Sequence, residues 1–306
     1  MLQFDLPAGV HVFERGWLSA NNILFVNGDE TLLVDSGYCT HSAQTLLLIE
    51  QALIARPLDV LVNTHLHSDH CGGNAMLQAR YPAIRTLIPP GYASHVTNWN
   101  PIALTYLPTG QLCPQFGFNK MLEPGTSIRF GLDFWEIHAA PGHDPHSVVF
   151  FEPQSRVLIS ADAMWEKGFG VVFPELEGEK AFDEVSATLD LIERLKPLVV
   201  IPGHGRVFSY TSTIMNHSRE KLNAFVQSPP RHASHAAKVL LKFKLLEVQR
   251  QTHAQFMKWA IETPYLVSIH ARFFGDMTTL TWITRLCDEL IKAGVAKMDG
   301  TFITNV

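Results

Sequence analysis

Four side chains able to ligate a metal stand within six residues of one another: His65, His67, Asp69 and His70, in Thr64-His65-Leu66-His67-Ser68-Asp69-His70-Cys71-Gly72-Gly73. They follow directly on the apolar run Val60–Asn63, which reads as a short buried strand. Imidazoles and a carboxylate at this density suit a borderline divalent metal, with zinc first and iron or manganese as alternatives. Three more candidates each follow an apolar run: His143 in Pro141-Gly142-His143, Asp162 in Ser160-Ala161-Asp162, and His204 in Pro202-Gly203-His204-Gly205. Small residues beside each let the backbone turn sharply and leave room for an ion. A single Gly-His is a weak signal. Three such sites in order, each behind a strand, make a strong set.

These residues need elements to hold them. The patterning predicts strands over His11–Trp17, Asn22–Val26 and Thr31–Val34, the last two joined by an Asn27-Gly28-Asp29 turn. Ser42–Ala55 carries an apolar helical face, with Pro57 close behind it. Further strands are expected at Ile84–Ile88, Ser127–Phe130, Phe134–His138, Val148–Phe151, Val157–Ser160 and Val199–Ile201, with an amphipathic helix at Asp183–Leu195. Strands and helices that alternate in this way imply sheets covered by helices.

The 306 residues are 46% apolar and 17% charged, enough to fill a real core and too apolar for a disordered chain. The net charge of −5 conceals a division. Up to Ser228 there are 14 basic and 23 acidic residues; from Pro229 onward there are 10 and 6. Ser228-Pro229-Pro230 reads as a linker, giving domains at 1–228 and 229–306. The second part is expected to hold helices at His232–Gln249, His253–Ile261 and Thr278–Ala293, then a hairpin around Asp299-Gly300. Helices followed by a small hairpin suggest a winged-helix-like unit, which is read as packing on the main domain in preference to reading nucleic acid, since net charge alone is a weak cue. Four cysteines at no paired spacing argue against a disulfide scaffold. Met1–Pro7 lacks the basic and apolar regions of a signal peptide, and no apolar run reaches 18 residues, so a cytoplasmic protein outside the membrane is expected. From Thr86 to Asn119 there is no charged side chain, but there are Tyr92, Trp99, Tyr106, Phe116 and Phe118 among five prolines. Such an insertion reads as a lid or apolar pocket wall, or equally as a homodimer contact or plain packing.

With all seven candidates in place, the chain resembles the metallo-β-lactamase superfamily of metallohydrolases over about residues 10–210. That resemblance implies an α+β fold, the αββα sandwich, with a metal site at one edge. It implies one metal on His65, His67 and His143, and a second on Asp69, His70 and His204. Asp162 would bridge the two, and Asp35, in Leu32-Leu33-Val34-Asp35, would orient a ligand instead of binding metal. Two such dications lower the pKa of a shared water toward neutrality and polarise the bond under attack. Asp69 and Asp162 partly offset their charge.

The substrate is narrowed by departures from known branches. Antibiotic-hydrolysing members are exported, and no export signal is seen here. Lactonases of the family place a Tyr where this chain has Trp165. Glyoxalase II-type thioesterases share the seven ligands, but their basic glutathione-binding pattern is not evident in this tail. A branch with a winged-helix-like tail includes RNA nucleases, against which the uncharged insertion argues. The favoured expectation is a small ester or thioester with an apolar portion, bound against Trp99, Phe116, Phe118, Trp165 and His146. The alternatives are an RNA phosphodiesterase and a regulatory protein with a retained metal site. Cys71, beside His70, reads as a small buried residue.

Overall fold

Short strands rich in Val, Ile, Leu and Phe build two six-stranded sheets in the computed structural model, which describes residues 4–306. Met1–Gln3, part of the start read for targeting, lie outside the described residues. The first sheet runs in chain order: β1 (Val10–Phe13), β2 (Asn22–Phe25), β3 (Leu32–Val34), β4 (Val60–Val62), β5 (Arg85–Ile88) and β6 (Lys120–Met121). β1, β2 and β3 are antiparallel, and β3 through β6 are parallel. The second sheet is β7 (Ser127–Phe130), β8 (Asp133–Ala139), β9 (Val148–Glu152), β10 (Val157–Ala161), β11 (Val199–Pro202) and β12 (Phe208–Ser209), also neighbours in chain order. It is antiparallel except where β10 and β11 run side by side.

Period-2 alternation sends one set of each strand's residues between the sheets. Ile23, Phe25, Val34 and Val62 from the first sheet meet Trp135, Ile137, Phe150 and Ile159 from the second. The opposite face of the first sheet, Leu24, Leu33 and Leu61, packs on Ile49 and Leu53 of helix Ser42–Leu53 and on Leu77 beyond it. Helix Ala181–Leu195 buries Phe182, Val185, Leu189 and Ile192, the stripe needed to cover the second sheet. The result is the αββα sandwich.

Two compact units are present. One comprises the residues up to Leu104 with Leu112–Leu222; the other comprises Thr105–Gln111 with Asn223–Val306. The second holds helices Pro229–Val248, His253–Glu262, Pro264–Phe273 and Thr279–Lys292. It also holds β13 (Arg250–Thr252), β14 (Ala296–Asp299) and β15 (Phe302–Asn305), in sheet order β13-β15-β14. Thr252 caps its helix with a full capping box to Gln255.

Several expectations change. Ser228-Pro229-Pro230 is no extended linker: helix Ser212–Gln227 ends at it, and Pro229 opens the next helix, where a missing N–H does no harm. Neither helix Ser212–Gln227 nor helix Pro264–Phe273 is announced by the sequence pattern. Strand β1 ends at Phe13 and releases Trp17 to another task. The uncharged insertion forms two single-turn helices, Ala93–Thr97 and Tyr106–Thr109. Among the described residues no helix is long and apolar enough to cross a membrane.

Phe150 is fully buried between the sheets, in ring contact with Phe130 at 5.0 Å. Phe150→Ala should therefore destabilise the fold by about 3–5 kcal/mol in urea unfolding; a loss under about 1 kcal/mol would mean this contact is not core.

Candidate metal centre

Every loop that carries a candidate ligand leaves the end of a strand. Thr64–His70 follows β4, His143 follows β8, Asp162 follows β10, and His204 follows β11. Parallel pairing makes β10 and β11 end on the same side, so their loops meet. A register shift between Ile159 and Ala161, with Ala161 at φ +45°, turns Asp162 out of the ladder. At Gly203 any Cβ would lie 2.2 Å from Asp162 Oδ1, so the close approach of the two loops requires glycine there.

The side chains converge in three overlapping groups, each with its potential ligand atoms within 4.8 Å of one another: His65, His67 and His143; His65, His70 and Asp162; Asp69, His70 and His204. Asp162 sits at the join. Its Oδ1 is 3.4 Å from His70 Nε2, and its Oδ2 is 3.5 Å from His143 Nε2 and 3.8 Å from His204 Nε2. His67 Nδ1 lies 2.8 Å from His143 Nε2, and His204 Nε2 lies 3.1 Å from Asp69 Oδ2. His65 Nε2 and His70 Nε2 are buried without a hydrogen-bond partner. Buried imidazole nitrogens left this way, beside two carboxylates, fit a divalent cation.

Hydrogen bonds behind the cluster choose which nitrogen faces inward. Asp35, fully buried at φ +57°, accepts from Thr64 N (2.9 Å) and Thr64 Oγ1 (2.7 Å), and from His70 Nδ1 (2.7 Å). His143 Nδ1 donates to the Val171 carbonyl at 2.5 Å. Both rings therefore turn Nε2 to the centre. His67 is reversed, with Nε2 3.8 Å from the buried Asp144.

Burial lowers the basicity of these rings. His65 falls well below the usual histidine range through burial and the neighbouring His70, His67 and His143. His67 is lowered to about 3 by burial and by His143. His143 is also lowered, chiefly by burial. These rings are neutral at pH 7, the form that ligates metal. His70 goes the other way: burial alone would lower it, but the Asp162 and Asp35 carboxylates raise it well above the usual range. Burial would raise Asp162, yet His204, His70 and His143 hold it well below the carboxylate range. The field that would place a proton on His70 is equally a field for a cation.

Several site residues were not legible in the sequence. Trp17, 56% exposed, stacks on His204 with centroids 5.5 Å apart and planes at 8°. Phe173 stands edge-on to His67 at 5.4 Å. Asn21 Nδ2 donates to the carbonyls of Pro202 and Gly205 on either side of His204. The Lys221 ammonium donates to the Phe169 carbonyl at 2.8 Å and lies 5.8 Å from the Trp165 ring centre. None of these has a local sequence signal. Of the expected pocket residues, Trp165 is at the centre: its indole N–H donates to Asp162 Oδ1 at 3.2 Å, and its ring is 5.6 Å from His204. Trp99 and Phe116 pack on each other at 5.6 Å, Phe118 lines a cleft with Pro90 and Met121, and His146 packs against Tyr92 at 4.7 Å.

A two-sheet sandwich with a His/Asp cluster at its strand ends defines a class of metal-dependent hydrolases. The metallo-beta-lactamase superfamily model matches residues 15–204, and the chain belongs to that superfamily. It is 28% identical over 162 residues to a hydroxyacylglutathione hydrolase of Brucella anthropi, covering 52% of this chain and 50% of that protein. A protein of the same name from Thermosynechococcus vestitus is 25% identical over 162 residues, 53% of this chain and 52% of its own length. The chain thus spans about half the length of the curated relatives it matches. A metallo-beta-lactamase family protein from Thermus thermophilus superposes over 98% of this chain and 99% of its own, with a TM-score of 0.57 at 17% identity. Another solved structure, of a protein crystallised in a di-iron-bound form, covers 65% of this chain and 94% of its own, with a TM-score of 0.53 at 26% identity.

Replacing the carboxylate with an amide in Asp35→Asn should weaken metal binding about 10–100-fold, read by titration of apoprotein with zinc. Unchanged affinity would remove Asp35 from the site. Burial also lowers Lys221 from 10.5 to about 8. The folded protein then releases this proton before the unfolded chain does, so wild type should gain stability on Lys221→Met as pH rises from 8 to about 10.5. Parallel stability–pH curves for the two proteins would refute a buried ammonium.

Proposed function

We propose that the chain hydrolyses a small ester or thioester with an apolar portion, using two divalent metal ions. His65, His67 and His143 would hold one ion and Asp69, His70 and His204 the other, with Asp162 serving both. The observation that carries this reading is the placing of Asp162, whose two oxygens face His70 on one side and His143 and His204 on the other. Zinc is the first candidate on ligand chemistry; the di-iron form of a relative keeps iron beside it. When bound, such ions lower the pKa of a water toward neutrality and polarise the scissile carbonyl.

The chain's own residues do the rest. Asp35 and the Val171 carbonyl hold His70 and His143 with Nε2 inward. Trp165 fixes the Asp162 carboxylate through its indole N–H. Trp17, Trp165 and Phe173 flank the cluster as an apolar rim, suited to the acyl portion of a substrate and able to exclude water around it. That rim favours a small acyl compound over an RNA phosphodiester, which would call for several cations along a groove. The thioester choice is supported by the hydroxyacylglutathione hydrolases among the relatives. We read the second unit as winged-helix-like, from its helix–strand–helices–hairpin order and its β13-β15-β14 sheet.

The test is turnover of metal-loaded protein on ester, thioester, lactone and phosphodiester panels, with metal content by elemental analysis. Two metals per chain, with thioesters or esters turned over fastest, are expected. Asp69→Ala should lower that turnover at least about 100-fold with an unchanged far-UV spectrum. Preference for phosphodiesters would overturn the substrate class, and full activity in Asp69→Ala would overturn the site.

A further inference from the structure

Three of the four cysteines come from distant parts of the sequence to the region of the metal loop. Cys71 ends the short helix Ser68–Cys71, is fully buried, and donates to the carbonyls of Leu66 (3.4 Å) and His67 (3.3 Å). Cys113, in the uncharged insertion, is half-buried, and its Sγ is 3.9 Å from Cys71 Sγ. Cys39 donates to the carbonyl of Leu112, the residue before Cys113, at 3.4 Å. The fourth, Cys287, lies apart, buried beside Met257 Sδ at 3.9 Å.

Two sulfurs at 3.9 Å are already in contact. A disulfide needs about 2.05 Å, so closing the bond brings the two sulfurs roughly 2 Å closer. The two thiols differ in access: Cys113 has an exposed edge and Cys71 none. That asymmetry is the one found where an accessible thiol meets an oxidant and a shielded neighbour resolves the product.

We propose that Cys71 and Cys113 are a reversible redox pair, closed to a disulfide by a hydroperoxide. In the first step the Cys113 sulfur gives two electrons to the peroxide. The O–O bond breaks, one oxygen joins sulfur as a sulfenic acid, and the other leaves as an alcohol, or as water from hydrogen peroxide. In the second step the Cys71 sulfur attacks the sulfenic sulfur. The S–S bond forms, the S–O bond breaks, and water leaves with the Cys71 proton. The product ties the insertion, at Cys113, to the residue that directly follows Asp69 and His70. The proposal stands on the sulfur geometry and does not depend on the substrate reading.

The full-length protein, reduced and then exposed to a few equivalents of hydrogen peroxide, should lose two hydrogens in intact mass. After thiol alkylation, a non-reducing digest should contain a peptide joining Cys71 to Cys113, and dithiothreitol should abolish it. The crosslink should vanish in Cys113→Ser and persist in Cys287→Ser. A bond involving Cys39, oxidation of Cys113 to sulfinic acid without a bond, or full alkylation of both thiols would each overturn the proposal. The wild-type digest decides this even if Cys113→Ser folds poorly.

Discussion

The carboxylate of Asp35 is the contact on which the rest of the site depends. Asp35 directly follows β3 at a positive φ, its backbone N–H donates to the Val62 carbonyl of β4, and its own carbonyl accepts from Asn22 of β2. Its side chain then holds Thr64 and His70. A buried carboxylate has a large desolvation penalty unless its lone pairs are occupied, and here three donors occupy them. The same bonds set where the His-rich loop leaves β4 and which way His70 turns. A left-handed backbone is tolerated by Asp better than by most residues, and strain of this kind gathers at functional sites.

From that anchor, topology brings in the distant ligands. Parallel pairing of β3 with β4 and of β10 with β11 makes successive loops emerge on one side. Asn21, directly before β2 of the first sheet, clamps the backbone around His204 at the end of the second, and the Ala20 N–H donates to the Asp69 carbonyl. The two sheets are thus joined at the candidate centre by polar bonds, and below it by the apolar layer around Trp135 and Phe150. Rigidity beneath, with polar loops above, is how a sandwich can hold several ligands to close tolerance.

The electrostatics of the cluster are unfavourable to the protein alone. Burial strips water from five imidazoles and two carboxylates, and it leaves His65 and His67 far less basic than free histidine. The carboxylates are held ionised by the histidines around them. Such an arrangement has few satisfactory proton distributions, and divalent cations resolve it, because they satisfy lone pairs and negative charge together.

Local chemistry was readable from residue order. His65, His67, Asp69 and His70 are close in sequence, so their spacing alone marks a metal loop. Period-2 strands such as Ser127–Phe130 announce themselves because burial acts on alternate residues. The membership of His143, Asp162 and His204 in a family pattern was legible in the same way. Helix Ser212–Gln227 was not, because the polar Ser218 interrupts its buried stripe of Met215, Leu222 and Phe225. Nor was the role of Trp17, Phe173 or Lys221, since an aromatic or basic residue looks the same in sequence whether it meets solvent, core or a ligand. The uncharged insertion reads equally as a pocket wall or as plain packing, and its Trp99 and Phe116 pack on each other. Residue types and short spacings thus carried the candidate metal loop and the alternation of strands and helices, and the family resemblance implied the sandwich. Only the folded chain decided the place of Trp17 and Phe173 in the rim, the Val171 carbonyl that orients His143, and the meeting of Cys71 with Cys113. Those contacts join residues tens to nearly two hundred positions apart, and packing in three dimensions, not spacing along the chain, selects them.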